Sequence, residues 1–295
     1  MKVYFQNKKI VTFSHIGDTS DDSIDKVFNK KRADDRKEWL ANYNRESYLD
    51  TNQNSISYDD FIDREMIHFS KYDCDRSIPN LMDGLKISLR KILYSAFKKN
   101  LTSEIKVAQF SGYVSEHSGY HHGEASLNAA IVGLAQTFIG SNNINIFKPN
   151  GQFGTRIMGG SDAASCRYIH TELNKICNYI FPQADMPLLE YVEDDGLFVE
   201  PKYYVPIIPM VLVNGMTGIG TGFSTNVPCF NPIDLIDNLI RLMNDKKVKS
   251  MKPWYRGFKG TIYEKDGKFF SKGNISIEKN NVKITELPIG TWTDK

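Results

Sequence analysis

Cysteine is scarce, with four residues in 295: Cys74, Cys166, Cys177 and Cys229. They form no C-x-x-C pair and no disulfide-like spacing, which argues for a reducing compartment and against a zinc site. No run approaches the roughly eighteen apolar residues of a membrane span. The N-terminal MKVYFQNKKI lacks the apolar core of a signal peptide. An excess of charge is also missing. Lys and Arg number 37 against 35 Asp and Glu, a net +2, so overall charge does not point to nucleic acid. There is no internal repeat and no low-complexity block. The chain is 41% hydrophobic and 24% charged. That composition is ordinary for a globular protein, and the length allows on the order of two or three domains.

Residues 1–33 read as a strand or two, a polar turn at Gly17-Asp18-Thr19-Ser20 and a short helix. A helix is expected from Asp34, with Trp39, Leu40 and Tyr43 on one face. The polar stretch Asn52 to Tyr58 reads as a linker. Within DGLKISLRKILYSAFKKN, the residues Leu85, Leu89, Ile92, Leu93, Ala96 and Phe97 form one helical stripe. Lys86, Arg90, Lys91, Lys98 and Lys99 fall on the other face. These charges share one sign, so attraction to phosphate competes with a merely solvated face. Further helices are expected after Gly123, from Ala164 to Ile180, and from Asn231 to Asp245, the last with Asn231 as N-cap and Pro232 at the first position. Between the last two, Tyr203 to Val213 is apolar and β-leaning, followed by a glycine-dense loop, Asn214 to Gly222. After Trp254 the pattern alternates as antiparallel hairpins, one turning at Asp266-Gly267.

Three places carry chemistry. In GGSDAASCRYIHTEL, Arg167 precedes Tyr168. An adjacent cation favours a phenolate nucleophile and stabilises charge gathering on a phosphoryl group. An Arg-Tyr pair in isolation is usually a surface cation beside a packing ring. In SGYHHGEASL, His121 and His122 stand where a helix begins, and backbone N–H groups and imidazoles together suit a phosphate. A metal site from His121, His122 and Glu124 is the weaker reading, because adjacent histidines diverge and no further ligand lies nearby. In NGMTGIGTGFSTNVP no Lys-Ser/Thr follows the glycines, which excludes a P-loop. Ile219 lies among them as an apolar tip, either packed in the loop or free to wedge between base pairs.

Taken together, ADDRKEWL, DRSIPNLMDGLK, LRKILYSAFKKN, KVAQFSGYVSE, GYHHGEASL, GQFGTRIMGG, DAASCRYIHTEL, EPKYYVPIIPMVLVNG, GIGTGFST, PWYRGFKGTI and ITELPIGTWT closely resemble eukaryotic-type (type IIA) DNA topoisomerase II, in that family's order and spacing. The resemblance covers nearly the whole chain from about Ser23 and extends to some large DNA viruses. It implies an α+β fold: a TOPRIM remnant at 1–33, linker helices at 34–66, a winged-helix domain at 67–208 and part of an α/β tower at 209–295.

The resemblance also implies roles. Tyr168 would be the nucleophile, Arg167 its activator, and Arg90 and His122 phosphate-stabilising partners. Arg76, Lys91, Lys98, Lys106 and His121 would contact the DNA backbone, and Ile219 would kink the duplex. The implied enzyme is an ATP-dependent, Mg²⁺-dependent homodimer acting on double-stranded DNA, in the nucleus or, if viral, in a cytoplasmic factory. The ATPase domain and the acids that hold Mg²⁺ are not in this sequence. The chain stops at Lys295 in mid-tower, so a piece of a longer enzyme is expected, with no cofactor bound by these residues. The rival readings are a non-catalytic winged helix, a metal-dependent phosphohydrolase and a gyrase subunit. Ile87-Ser88-Leu89 stands where the family has Pro-Gly-Gln, Phe223 where it has Trp, and Cys166 and His170 flank the tyrosine unusually.

Overall fold

A computed structural model describes residues 10–50, 52–279 and 281–295. Residue contacts divide the chain into two compact units, 1–78 with 217–225, and 79–216 with 226–295. Much of the strand expected near the start lies outside the described residues.

In the first unit, β1 (Thr12–Ser14) pairs in parallel with β2 (Ser55–Ser57), so the expected linker at 52–58 contains a strand. Helix α1 (Gly17–Phe28) absorbs the expected polar turn into its first turn. The reason is Ser20, fully buried, whose hydroxyl accepts from the Ile16 N–H at 2.9 Å and donates to Asp59 at 3.1 Å. Helix α2 (Ala33–Ala41) follows as expected. Tyr58–Phe61, a five-residue π turn Ile62–Met66 and Ile67–Ser77 then run on as one helix, α3. The Ser57 hydroxyl caps it by accepting from the Asp60 N–H at 3.0 Å. Trp39, Leu40, Ile62 and Ile67 form this unit's core.

The second unit is built on three mutually packed helices, α4 (Ile87–Lys99), α5 (Val107–Ser118) and α6 (Glu124–Ala135). The expected stripe of α4 faces inward, and Ile92, Leu93, Ala96, Phe110, Val114, Leu127 and Ile131 are wholly buried. Each large aliphatic side chain so buried contributes about 1.5–3 kcal/mol. Asn100 ends α4 in the left-handed conformation, φ 51°, and its N–H closes on the Ala96 and Phe97 carbonyls. Against the helices lies a sheet ordered β3 (Ile105–Lys106), β5 (His170–Leu173), β4 (Phe147–Asn150).

The helix expected from Ala164 to Ile180 is therefore replaced by a turn, strand β5 and a four-residue helix α7 (Cys177–Ile180). Strands β6 (Tyr191–Asp194) and β7 (Leu197–Pro201) form a hairpin. The β-leaning run 203–213 makes no strand. Pro206 and Pro209 remove ladder donors, and the run ends in a short helix α8 (Met210–Val213). The glycine-dense stretch is not a loop either. Strands β8 (Met216–Gly220) and β9 (Phe223–Val227) pair across Thr221-Gly222. Helix α9 (Pro232–Met243) begins as expected, the Asn231 side chain accepting from the Ile233 N–H at 3.0 Å. The alternating tail forms two antiparallel hairpins, β10 (Thr261–Lys265) with β11 (Lys268–Lys272), and β12 (Asn274–Glu278) with β13 (Asn281–Glu286).

Candidate nucleic-acid interface and nucleophile

Tyr168 stands in the turn before β5, with its side chain 77% exposed. The backbone beside it is fixed on both sides. The Cys166 carbonyl accepts from the Ala108 N–H at 3.1 Å and the Ile169 carbonyl from the Val107 N–H at 3.0 Å, both from the first turn of α5. Tyr168's own N–H turns back to the Ser165 carbonyl at 2.9 Å. Ile169 is buried below it. Two anchored neighbours thus hold the backbone while the phenol points to solvent. Arg167 is exposed beside it and has no partner among the described residues. Across the sheet, the exposed Lys106 pairs in register with His170, two residues after the tyrosine.

Two of the expected phosphate ligands are engaged inside the chain. Arg90 does not lie on a solvated face; it is 4% exposed. Its Nε donates to Asp83 Oδ2 at 2.7 Å, and its Nη2 to Asp83 Oδ1 at 3.1 Å and to the Leu85 carbonyl at 2.8 Å. Of its nitrogens, only Nη1 makes no bond to the described residues. Asp83 is itself saturated, accepting also from the N–H groups of Leu85 and Tyr204, each at 2.9 Å. Lys91, expected on the same solvated face, donates to the buried Glu200 carboxylate at 2.8 Å and to the Ser118 carbonyl. Local pattern signals neither acid, because each lies in a loop or strand outside the helix whose charges it takes up.

Elsewhere, Lys98 is exposed, its ammonium 5.5 Å from the Tyr94 ring centroid. His121 is exposed and 3.5 Å from Asp194. His122 lies just ahead of α6, its ring edge-on to Tyr120 at 5.3 Å. Among the described residues no group of three or more His, Cys, Asp or Glu could hold a metal ion.

In the first unit, Arg76 is exposed in the last turn of α3, and Ile219 is 77% exposed near the tip of the β8–β9 hairpin. Close packing holds that tip. A side chain at Gly222, φ +76°, would meet Arg36 Cβ at 2.9 Å. The Cys74 thiol donates to the Thr221 carbonyl at 3.2 Å. Ile219 is thus an apolar side chain on a braced support, displayed to solvent.

Three packed helices with a small sheet beside them, and a tyrosine displayed from the turn entering that sheet, fit the mixed helix and strand fold of type II topoisomerase DNA-binding and cleavage domains. The DNA gyrase/topoisomerase IV family model, which describes the A-type subunit of those enzymes, matches residues 76–295, and the chain belongs to that family. The C-terminal associated domain of TOPRIM matches residues 1–74. The chain is 52% identical to DNA topoisomerase 2 of Saccharomyces cerevisiae over 99% of its length and 21% of that protein's. It is 53% identical to the probable DNA topoisomerase 2 of Dictyostelium discoideum over 93% of its length and 18% of that protein's. The solved topoisomerase II DNA-binding, cleavage and re-ligation domain of Plasmodium falciparum superposes with a TM-score of 0.83 at 49% identity, covering 99% of this chain and 41% of that one. The chain therefore spans about a fifth of the length of the curated relatives it matches.

Proposed function

We propose that this chain supplies the DNA-binding and cleaving part of a type II topoisomerase acting as a homodimer on double-stranded DNA. The observation that carries the reading is the exposed Tyr168 phenol, held between two backbone anchors with the exposed Arg167 next to it. The Tyr168 oxygen gives up its proton to solvent and attacks the scissile phosphorus in line. A Tyr O–P bond forms as the P–O3′ bond breaks, and the 3′ oxygen takes a proton from solvent and leaves as a hydroxyl. The product is a 5′-phosphotyrosine, and religation reverses the step because the phosphoester bond is conserved. Arg167, Lys106 and the Arg90 Nη1, which makes no bond to the described residues, offer cations to the phosphoryl oxygens, and His122 joins them at the start of α6. Arg76, Lys98 and His121 bind phosphates of the DNA backbone, and Ile219 wedges into the duplex. Lys91 is better read as a structural partner of Glu200.

In the same reading, 67–208 is the winged-helix domain, 209–295 enters the tower, and 1–33 belongs to TOPRIM with 34–66 as linking helices. Mg²⁺ and ATP are proposed as cofactors of the whole enzyme. The described residues offer no cluster suited to a metal ion, so no step here passes through one. The four cysteines are all free thiols, which suits an intracellular setting, the nucleus or a viral factory.

The test is Tyr168→Phe in protein expressed from its full open reading frame. The variant is expected to form no covalent DNA adduct while binding duplex DNA as before. An adduct in the variant, or none in the unaltered protein under cleavage conditions, overturns the reading.

A further inference from the structure

The residues before Tyr168 form a closed loop whose shape is set partly from far along the chain. The loop is pinched at its base, where the Ala164 N–H donates to the Gln152 carbonyl at 2.9 Å. Its two arms also touch, since a side chain at Gly154 would come within 2.6 Å of Gly160. Inside it, the Thr155 hydroxyl and N–H both donate to Asp162, at 2.7 and 2.8 Å.

The outer side of the loop is gripped by the C-terminal segment. Arg156 Nη1 donates to Glu286 at the end of β13, and Nη2 donates to the Leu287 carbonyl at 2.8 Å. The Asp294 N–H donates to the Ile157 carbonyl at 3.1 Å. The Trp292 ring lies so close to Gly159 that a side chain there would come within 2.3 Å of it, and it also pairs edge-on with Phe138 at 5.8 Å. Glu286 is 6% exposed and also accepts from the N–H groups of Lys259 at 3.0 Å and Leu287 at 3.1 Å. Its carboxylate is therefore fixed by the hairpin segment whether or not Arg156 is present.

Resting on the reading of Tyr168 as nucleophile, we propose that Glu286 is a positioning residue for DNA cleavage: through Arg156 it ties the loop leading into the nucleophile's turn to the base of the β12–β13 hairpin. Two observations favour positioning over simple bracing. Arg156 Nε is buried and has no hydrogen-bond partner among the described residues. That is an unfavourable feature for a brace that serves stability alone, since an orphaned buried donor costs about 1–3 kcal/mol. Furthermore, each contact named above between the C-terminal segment and this loop falls on 156–159, at the far end of the loop from its hydrogen-bonded base. The grip thus controls the loop's tilt rather than its closure. A nucleophile needs its oxygen close to in-line with the leaving group, and a misplacement of ~1 Å is enough to slow a reaction about 100-fold.

The experiment compares Arg156→Met and Arg156→Lys with unaltered protein, each expressed from its full open reading frame. The rate of covalent adduct formation is measured on a labelled duplex at saturating DNA, together with the dissociation constant for the same duplex. In parallel, Trp292 emission is read without DNA as the difference between each protein and the same protein carrying Trp292→Phe. Arg156→Met is expected to slow adduct formation about tenfold with binding changed less than about twofold, and to shift Trp292 emission to longer wavelength. Arg156→Lys, which keeps a charge for Glu286, is expected to recover most of both. If Arg156→Met is too unstable to purify, Glu286→Gln, which keeps the side-chain volume, is read in the same way. Adduct formation within about twofold of the unaltered rate overturns the proposal, as does a loss that Arg156→Lys shares in full. Absence of any adduct from the unaltered protein sinks the nucleophile reading instead, and the emission shift still decides whether Arg156 holds the loop against Trp292.

Discussion

Asp83→Ala isolates a buried cation. The Arg90 side chain, 5% exposed, loses the carboxylate that takes its Nε and Nη2, and the N–H groups of Leu85 and Tyr204 lose their acceptor. Removing one partner of a buried pair costs about 3–5 kcal/mol, and each orphaned N–H about 1–3 kcal/mol more. These losses overlap, because one relaxation of the 79–86 segment relieves them together. The expected destabilisation is on the order of 5 kcal/mol, comparable to the whole stability of a modest domain. Urea unfolding of the purified chain, followed by far-ultraviolet circular dichroism, measures it. A buried pair replaced on both sides by apolar residues is often neutral. Asp83→Leu with Arg90→Met should therefore regain most of the stability, while cleavage by the full-length protein stays low because Nη1 is gone. A loss below about 1 kcal/mol for Asp83→Ala, the range of an exposed pair, would refute the burial argument. Cleavage at the unaltered rate by the double variant would refute the role given to Arg90.

Ile219→Ala should reduce DNA bending, read by energy transfer between dyes at the two ends of a duplex, with little change in the salt dependence of binding; an unchanged bend returns Ile219 to loop packing. Burial pushes the Cys177 thiol up to about 12 and the Cys229 thiol up to about 11. Iodoacetamide at mildly alkaline pH should therefore leave both unmodified until urea is added, and equal labelling of native and unfolded protein in peptide mass spectra contradicts this. Hydrogen bonds from the Thr155 hydroxyl and N–H hold the Asp162 carboxyl below its ordinary value. Its stabilising contribution is thus complete above the unfolded value of about 3.9 and lost as pH falls through the lower folded value. Thr155→Val should raise the Asp162 midpoint in a carbon-detected NMR titration, and an unmoved midpoint excludes that hydroxyl as a cause.

Local periodicity was a sound guide where burial follows one element and failed where it follows a sheet. The stripe of α4, the start of α6 and the cap of α9 are properties of consecutive residues, so they can be read without partners. The segment 164–180 shows the limit. Ile169, Leu173, Cys177 and Ile180 are all buried and fall at i, i+4, i+8 and i+11, which is helical spacing. Yet Thr171, between the first two, is buried as well, paired across to Ile105 on one side and Pro149 on the other. Those partners are more than twenty residues away, and nothing in the local pattern announces them.

The same distinction governs the candidate site. Tyr168 and Arg167 stand out because they are adjacent, and their setting keeps both exposed. The cations of α4 looked alike in the sequence, yet their fates differ. Arg90 is taken up by an acid seven residues before it and Lys91 by one 109 residues after it, whereas Lys98 stays exposed. Helical phase cannot separate these cases, because a long side chain can reach acids that stand off the helix. The Arg156–Glu286 tie spans 130 residues and was invisible for the same reason. The groups that present chemistry can therefore be recognised from short motifs. The acids that decide which cations remain free to meet a phosphate come from elsewhere in the fold, and Asp83, Glu200 and Glu286 are three of them.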